Sequence, residues 1–366
     1  MKIASVVGAR PQFIKAATLS REIIKNNRND TRSPIREVMI HTGQHYDNNM
    51  SQVFFRELSI PDPAYDLEVG SCSHGKQTGR MLEKIEKILT KEIPDCVVVY
   101  GDTNSTLAGA LAAAKLHIPV AHVESGLRSF NQKMPEEINR VLTDHISQVL
   151  FCPTTTAVEN LANEGITSGV CHVGDVNFDS TLYFAARSEA VKKSLFQKLS
   201  VQPRSFYLAT VHRAENTDDR CRLTNILQAL DAIATPDCPL ILPLHPRTAA
   251  CIKNYGLILE NITFIPPVSY MEMITLEKHA KAILTDSGGI QKEAFWFNVP
   301  CVTLRDETEW VETVDSGWNT LAGADKERII AIINDFQVPA SEPDFIYGDG
   351  SAAGSILDDL SKRFRK

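Results

Sequence analysis

KAILTDSGGIQKEAFWFNVPCVTLRDETE, residues 281–309, is the stretch that decides the fold of this chain. It opens on the apolar run 282–284, which is typical of a buried parallel strand. The run turns through Ser287, Gly288 and Gly289 into a predicted helix over residues 290–297. Paired glycines let a ligand approach the backbone, and a helix N-terminus offers free N–H groups to an anion. The stretch therefore predicts a turn that binds a diphosphate, with Glu293 placed to accept hydrogen bonds from a ribose. The alternative is an ordinary strand–turn–helix corner.

Strand-like and helix-like patterns alternate along the rest of the chain. This alternation is typical of a mostly parallel, doubly wound α/β sheet. The pattern restarts after a long helical stretch, residues 178–199, so we expect two successive Rossmann-like halves that face one another. Strands are predicted at residues 3–7, 37–41, 96–100, 120–123, 149–152 and 170–173, and then at 207–211, 240–244, 262–265, 282–284 and 301–304.

Composition describes a soluble globular protein of two ordinary domains. The chain has 366 residues, of which 43% are hydrophobic and 23% charged, and no apolar run approaches the length of a membrane span. The apolar run at the N-terminus is too short for a signal peptide and fits a first strand. A net charge of -7 argues against a nucleic-acid partner. The eight cysteines form no CxxC pair, which favours free thiols in the cytoplasm over disulfides or a metal site.

Polar residues follow the predicted strands at the points where they end. Ligands of doubly wound sheets bind outside the carboxyl ends of the strands, so this coincidence predicts a functional site. The residues are Arg10, His45, Asp102, Glu124, His212, His245, Ser287 and Arg305.

Cations and carboxylates dominate the first half of this set. Arg10 is suited to bidentate contact with a phosphate or carboxylate, and Lys15, one helical turn later, is expected to face the same cleft. The alternative for Lys15 is a solvated helix face. Asp102 precedes a predicted helix, so it is either a site residue or the N-cap of that helix.

Glutamates complete the acidic set. Glu124 lies at a strand end, where strand propensity gives no reason for a carboxylate. Glu136 and Arg140 are four residues apart and share a helix face, although acidic residues in a first turn also suit the helix dipole. Three carboxylates that converge would raise one another's pKa and supply both an acid and a base.

Histidines mark the second half. His212 and His245 each follow a predicted strand immediately, which favours function over a core role. Neither has a partner at a spacing typical of a metal site, so no metal is predicted.

These residues fall in motifs that resemble one family, the non-hydrolysing UDP-N-acetylglucosamine 2-epimerases, over nearly the whole chain. Each motif alone is weak, but together and in this order they are specific. The motifs are GARPQFIK, TGQH, YGDTNSTL, HVESGLRS, PEEINR, HRAEN, HPR, DSGGIQKEA and LRDETE.

The resemblance implies a fold and a reaction. Its fold is the glycosyltransferase-B arrangement, with a UDP-sugar in the cleft between the domains. One domain would span residues 1–176, joined by the C-terminal helix 352–366, and the other residues 177–351. The family inverts C2 of a UDP-2-acetamido sugar by anti elimination of UDP to a 2-acetamidoglucal and re-addition, and it uses no cofactor or metal. A cytoplasmic homodimer is expected.

The resemblance also implies residue roles. Asp102, Glu124 and Glu136 would be the acid and base set, with His212 at the departing diphosphate, although it does not assign their individual roles. The implied substrate-binding residues are Arg10, Lys15, Gln44, His45, Arg140, His245, Ser287, Gly288, Gly289 and Glu293.

Departures from the family pattern narrow the choice of substrate. Trp310 replaces an arginine that usually follows Glu309, and Ala214 replaces the second arginine of HRREN. With LRSFNQKMPEEINR, these features resemble the branch acting on UDP-2,3-diacetamido-2,3-dideoxy-glucuronate, for O-antigen synthesis. Alternatives are epimerisation of UDP-N-acetylglucosamine, a hydrolysing epimerase, a UDP-sugar glycosyltransferase, and a non-catalytic nucleotide-sugar sensor.

Overall fold

The structure, a computed structural model, describes residues 1–29, 34–44, 61–336, 338–339 and 346–365. Contacts divide the chain into two compact units. The first unit comprises Met1–Ser180 and Phe345–Lys366, and the second comprises Thr181–Asp344. Each unit contains one parallel sheet with helices packed on it.

The first unit is built on a sheet of seven parallel strands in the order β3-β2-β1-β4-β5-β6-β7. All five residues of β4, with the sequence CVVVY, are buried, because both faces of a doubly wound sheet are covered. The strand order reverses at β1 and β4, which is where ligands of such sheets bind. The strands are β1 (Lys2–Val7), β2 (Arg36–His41), β3 (Tyr65–Asp66), β4 (Cys96–Tyr100), β5 (Val120–Val123), β6 (Val149–Cys152) and β7 (Val170–His172).

The helices of the first unit connect these strands. They are α1 (Arg10–Asn29), α2 (His74–Glu92), α3 (Asn104–Lys115), α4 (Pro135–Ile146), α5 (Thr155–Asn163) and α6 (Val176–Leu199), which continues into the second unit. The small residues of α3 let it lie close to β1: a Cβ on Gly109 would stand 3.1 Å from the Val6 side chain. The last helix of the chain, Ala352–Phe364, packs against α1.

The second unit repeats the plan with six parallel strands in the order β10-β9-β8-β11-β12-β13. Its strands are β8 (Tyr207–Thr210), β9 (Leu240–Pro243), β10 (Ile262–Ile265), β11 (Ala282–Thr285), β12 (Cys301–Thr303) and β13 (Asn319–Leu321). Its helices are α7 (Ala214–Thr217), α8 (Arg220–Ile233), α9 (Pro246–Tyr255), α10 (Tyr270–His279), α11 (Gly288–Trp296), α12 (Val311–Asp315) and α13 (Lys326–Asp335), and the C-terminal helix Ala352–Phe364 is α14.

The predicted α/β class with two Rossmann-like sheets is confirmed. Two strands, β3 and β13, were not predicted, because two or three residues at a sheet edge carry too little apolar pattern. Helix α11 starts at Gly288 rather than at the predicted position 290, so both glycines belong to its first turn.

All eight cysteines lie in the described residues and are free thiols, and three of them, Cys96, Cys152 and Cys301, are buried. Among the described residues, none of the helices has the length and apolarity that crossing a membrane requires.

Candidate active site

Asp102 lies at the end of β4 and is held by Arg140 from α4. The Arg140 guanidinium donates to Asp102 Oδ2 at 2.6 Å, and Asn139 donates to the Asp102 carbonyl at 2.9 Å. The N-cap of α3 is Thr103, whose side chain accepts from the Thr106 N–H. The N-cap alternative for Asp102 is therefore wrong. Its carboxylate, 31% exposed, faces a buried cation instead.

Glu124 follows β5 in the left-handed conformation, with φ of 70°. Such a backbone costs about 1–3 kcal/mol for a residue with a side chain, and its surroundings must hold it. Here the N–H groups of Glu124 and Ser125 both donate to the Phe151 carbonyl at 3.1 Å. The Glu124 carboxylate pairs with Lys15, and both side chains are 8% exposed. Lys15 thus lies against a carboxylate, and the solvated-face alternative is wrong.

One face of α4 serves all three predicted acid–base residues. Glu136, Arg140 and Asp144 are spaced by four residues and so share that face. Arg140 binds Asp102, and Asp144 accepts from the Gly126 N–H, two residues after Glu124, at 3.1 Å. Glu136 itself is half-buried and has no ion pair with another described residue.

Glu137 differs from its neighbour Glu136. Its carboxylate accepts from the N–H groups of Ser129 and Phe130, each at 2.9 Å, and from the Ser129 hydroxyl. It also lies 3.3 Å from the Arg140 guanidinium. The two acidic residues of this first turn therefore have different roles, and Glu137 fixes the loop before α4.

A buried charged cluster lies beside the Glu124 turn. Asp144 contacts His122 at 2.6 Å and Arg128 at 2.7 Å, and Arg128 also forms two bonds of 2.7 Å with Glu164. Burial raises the pKa of Asp144, but the opposing effects of His122 and Arg128 are larger in sum, so the pKa is lowered. Sequence reasoning missed this cluster, although Asp144 continues the spacing of Glu136 and Arg140 by one more helical repeat.

Gly8 and Gln12 shape the turn after β1. Gln12 accepts from the N–H groups of Gly8 and Ala9 and donates to the Tyr100 carbonyl at 2.8 Å, which joins the ends of β1 and β4. A Cβ on Gly8 would stand 2.1 Å from the Ser105 and Thr42 hydroxyl oxygens, so no side chain fits there.

Gln44 binds the same region, since its side-chain oxygen accepts from the Ser105 hydroxyl at 2.6 Å. The predicted site residue His45 and the side chain of Arg10 lie outside the described residues.

In the second unit, His212 follows β8 and pairs with Asp286 at the end of β11. His212 Nδ1 lies 3.2 Å from Asp286 Oδ1, and the N–H groups of His212 and Arg213 donate to the same carboxylate at 3.0 Å. Burial is the largest single influence on the Asp286 pKa and raises it, but His212, the Arg213 N–H and Asn216 together lower it. An ionised Asp286 therefore orients His212, whose side chain is 41% exposed.

His245 is the N-cap residue of α9. Its Nδ1 accepts from the Arg247 N–H at 3.2 Å at the start of α9, and its ring lies 6.1 Å from that of His212. Burial, His212 and Arg247 together lower the pKa of His245. A neutral ring with Nδ1 as acceptor carries its proton on Nε2, which can donate to a ligand.

The turn after β11 presents the N-terminus of α11. A Cβ on Gly288 would stand 2.7 Å from Glu309 Oε1 and 3.0 Å from Trp310 Nε1, whereas Gly289 has only Ser287 Oγ nearby, at 3.9 Å. A side chain on Gly288 would therefore displace Glu309 or Trp310, whereas Gly289 leaves the helix end open to an anion. Glu293 Oε1 accepts from the Tyr270 hydroxyl at 3.1 Å.

Arg305, which also follows a strand, is committed to internal pairs. Its side chain is 1% exposed and lies 2.9 Å from Glu309 and 3.3 Å from Glu215. It braces the end of β12 and is not presented to a ligand.

Comparison with known proteins agrees with this arrangement. A family model described as UDP-N-acetylglucosamine 2-epimerase matches residues 27–361. The chain belongs to this family. Membership makes it an isomerase and accounts for its two Rossmann-like sheets.

Relatives and a solved structure extend over the full chain. A UDP-N-acetylglucosamine 2-epimerase homolog of Methanococcus maripaludis is 54% identical, over 98% of this chain and 99% of that protein. The UDP-2,3-diacetamido-2,3-dideoxy-D-glucuronate 2-epimerase of Pseudomonas aeruginosa is 50% identical, over 99% and 100%. The crystal structure of Methanocaldococcus jannaschii UDP-GlcNAc 2-epimerase in complex with UDP-GlcNAc and UDP has a TM-score of 0.88 and 45% identity, over 99% of this chain and 100% of that one.

Proposed function

We propose that this member of the epimerase family inverts C2 of a UDP-2-acetamido sugar without hydrolysing it. The observation that carries the proposal is the acidic edge of the first unit. Asp102 and Glu124 each have a fixed cation there, and Glu136 lies on the helix face that supports both. A glycosyltransferase has no need for three carboxylates that exchange a carbon-bound proton.

The proposed reaction is an elimination followed by its reverse. A base removes the C2 proton, the electron pair of the C–H bond forms the C1=C2 double bond, and UDP leaves with the electrons of the C1–O bond. Return of a proton to the opposite face of C2, with re-addition of UDP to C1, gives the epimer. The C2 proton is weakly acidic, so the base and the stabilisation of the leaving group must act together.

We assign the proton transfers to Asp102, Glu124 and Glu136. Protonation of Asp102 or Glu124 would weaken a charge-assisted hydrogen bond to Arg140 or Lys15. Glu136 has no such bond with a described residue, so it can take up a proton without this loss. Lys15 and Arg140 thus support the site by holding the Glu124 and Asp102 carboxylates in place.

We assign the diphosphate to the second unit. His212, oriented by Asp286, would donate to the departing phosphate, assisted by the Nε2–H of His245 and by the α11 turn at Ser287, Gly288 and Gly289. These donors stabilise the charge that develops on UDP as it leaves. Glu293 would bind the ribose, and Arg10, Gln44 and His45 would contribute further substrate contacts.

The substrate we propose is UDP-2,3-diacetamido-2,3-dideoxy-glucuronate, converted to its manno epimer for O-antigen or another surface polysaccharide. Support comes from the Pseudomonas aeruginosa relative, 50% identical over the full length, and from Ala214 and Trp310 in place of two arginines.

UDP-N-acetylglucosamine is the second candidate substrate. It is favoured by the 54% identity to the Methanococcus maripaludis homolog and by the Methanocaldococcus jannaschii structure, which holds this compound.

For either substrate we expect a cytoplasmic homodimer that needs no cofactor or metal. Light scattering would test the dimer, and an assay after treatment with a chelator would test the independence from metal.

Isotope exchange tests the proposal directly. Each UDP-sugar is incubated with the protein in D2O, and deuterium at C2 is followed by NMR. We expect exchange and a manno product with the diacetamido acid. Glu136→Gln should reduce exchange by about 100-fold or more while UDP still binds. Exchange with UDP-N-acetylglucosamine alone would select the second candidate, and no exchange with either, despite binding, would refute the epimerase.

A further inference from the structure

His122 in β5 is a fully buried histidine with two hydrogen-bond acceptors. Its Nδ1 lies 2.6 Å from Asp144 Oδ1 and its Nε2 lies 2.7 Å from the Gly101 carbonyl oxygen. A carbonyl can only accept, and so can an ionised carboxylate. Both ring nitrogens must therefore carry protons, and the side chain is an imidazolium.

The carboxylates around His122 can balance the positive charge of an imidazolium. Asp144 Oδ2 lies 2.7 Å from the Arg128 guanidinium, which is also bonded twice to Glu164. The exposed His145 lies 3.9 Å from Glu164. The cluster therefore contains two buried cations and two carboxylates, which is the condition under which buried charges persist.

His122 connects the turns that carry two of the proposed acid–base residues. The Gly101 carbonyl, which accepts from His122, belongs to the residue before Asp102. On the other side, Asp144 binds both His122 and the Gly126 N–H, so one carboxylate holds the chain on either side of the left-handed Glu124.

We propose that His122 is a positioning residue for the epimerisation. It fixes the separation of the Asp102 and Glu124 turns through its contacts with the Gly101 carbonyl and with Asp144. The inference rests on the proposed function, since it assigns a role toward those two residues. Lys15 and Arg140 hold the same carboxylates from α1 and α4, so loss of His122 should displace the two turns without releasing either carboxylate from its cation.

Two substitutions separate the contacts of the ring. An asparagine amide can reproduce the Nδ1 donor toward Asp144, and a glutamine amide the Nε2 donor toward Gly101, while both remove the charge. We expect His122→Asn to lower kcat about 10- to 100-fold, the range that follows loss of a group that orients a metal ligand. His122→Gln should be less impaired, because the Gly101 contact remains.

The split between kcat and KM distinguishes positioning from simple loss of packing. A displaced acid–base residue slows proton transfer while the diphosphate contacts of the second unit remain, so kcat should fall in both variants with KM little changed. His41→Asn is the matched control, because His41 is also buried and pairs with a carboxylate, Asp66, at 3.1 Å. It should lower the melting temperature and leave kcat and KM unchanged.

A second measurement does not depend on activity. In protein with 15N-labelled histidine, both ring N–H groups of His122 should be visible, assigned by their absence in His122→Asn. A ring with a single proton, or folded variants that retain the wild-type kcat, would overturn the inference. Wild-type protein without C2 exchange would instead refute the proposed function, and the ring protons would still be measurable.

Discussion

Replacing Lys15 by methionine should destabilise the first unit strongly, because it removes the buried cation that pairs with the Glu124 carboxylate. Both side chains of the pair are 8% exposed, so water can do little to compensate the carboxylate. Removal of one partner of a buried pair typically costs about 3–5 kcal/mol. Methionine keeps most of the lysine stem, so the loss is mainly electrostatic.

A double-mutant cycle isolates the pair. Lys15→Met, Glu124→Gln and the double variant are unfolded in urea, and the free energies of unfolding are compared where several probes give one transition. We expect the double variant to regain much of the stability that Lys15→Met loses, because neither charge remains. It should nevertheless show no C2 exchange. A cost below about 1 kcal/mol for Lys15→Met would indicate a solvated pair and refute the reasoning.

Two further predictions concern stability. Burial raises the pKa of Asp179 to about 6, and the nearby carboxylates of Asp175 and Asp349 add to this effect. The hydrogen bonds that Asp179 accepts from the Ala353 and Ala352 N–H groups lower the pKa by less. The folded protein therefore binds this proton more tightly than the unfolded chain, and the resulting stability is present near pH 4 and lost as the pH rises through about 6. Relative to Asp179→Asn, the wild type should lose about 2 kcal/mol between pH 4 and 7 in urea unfolding, and parallel curves would contradict this. Gly8→Ala should lower the free energy of unfolding by about 1–3 kcal/mol because its Cβ would stand 2.1 Å from two hydroxyl oxygens. Gly79→Ala, on an open face of α2, should raise it by about 0.5–1 kcal/mol in the same assay, and equal effects of both changes would refute the steric argument.

Sequence reasoning predicted the sheets well because their strands are short, mostly apolar runs, and most of them are buried. It placed β4, β5, β6 and β10 at their observed bounds, since Gly, Pro or polar residues limit these runs. It could not find β3, whose two residues Tyr65 and Asp66 carry no apolar pattern.

The sequence placed the candidate residues at strand ends but did not give their partners. Strand ends identify Asp102 and Glu124 in the first unit and His212 in the second, because ligands of doubly wound sheets bind outside the carboxyl ends of the strands. The partner of each residue comes from an element distant in sequence: Arg140 for Asp102, Lys15 for Glu124 and Asp286 for His212. Local propensity contains no information on such pairs, so Asp102 could equally have been an N-cap.

Because three residues of the proposed site lie on one face of α4, this helix positions them as a rigid unit. Glu136, Arg140 and Asp144 move together if α4 shifts or rotates, because a helix transmits displacement along its length. One inserted residue between Ile138 and Arg140 would turn the rest of the helix by about 100°. Arg140 would then lose its contact with Asp102, and Asp144 would lose its contact with the Gly126 N–H after Glu124. An insertion within α4 should therefore be more damaging than a substitution on its exposed face.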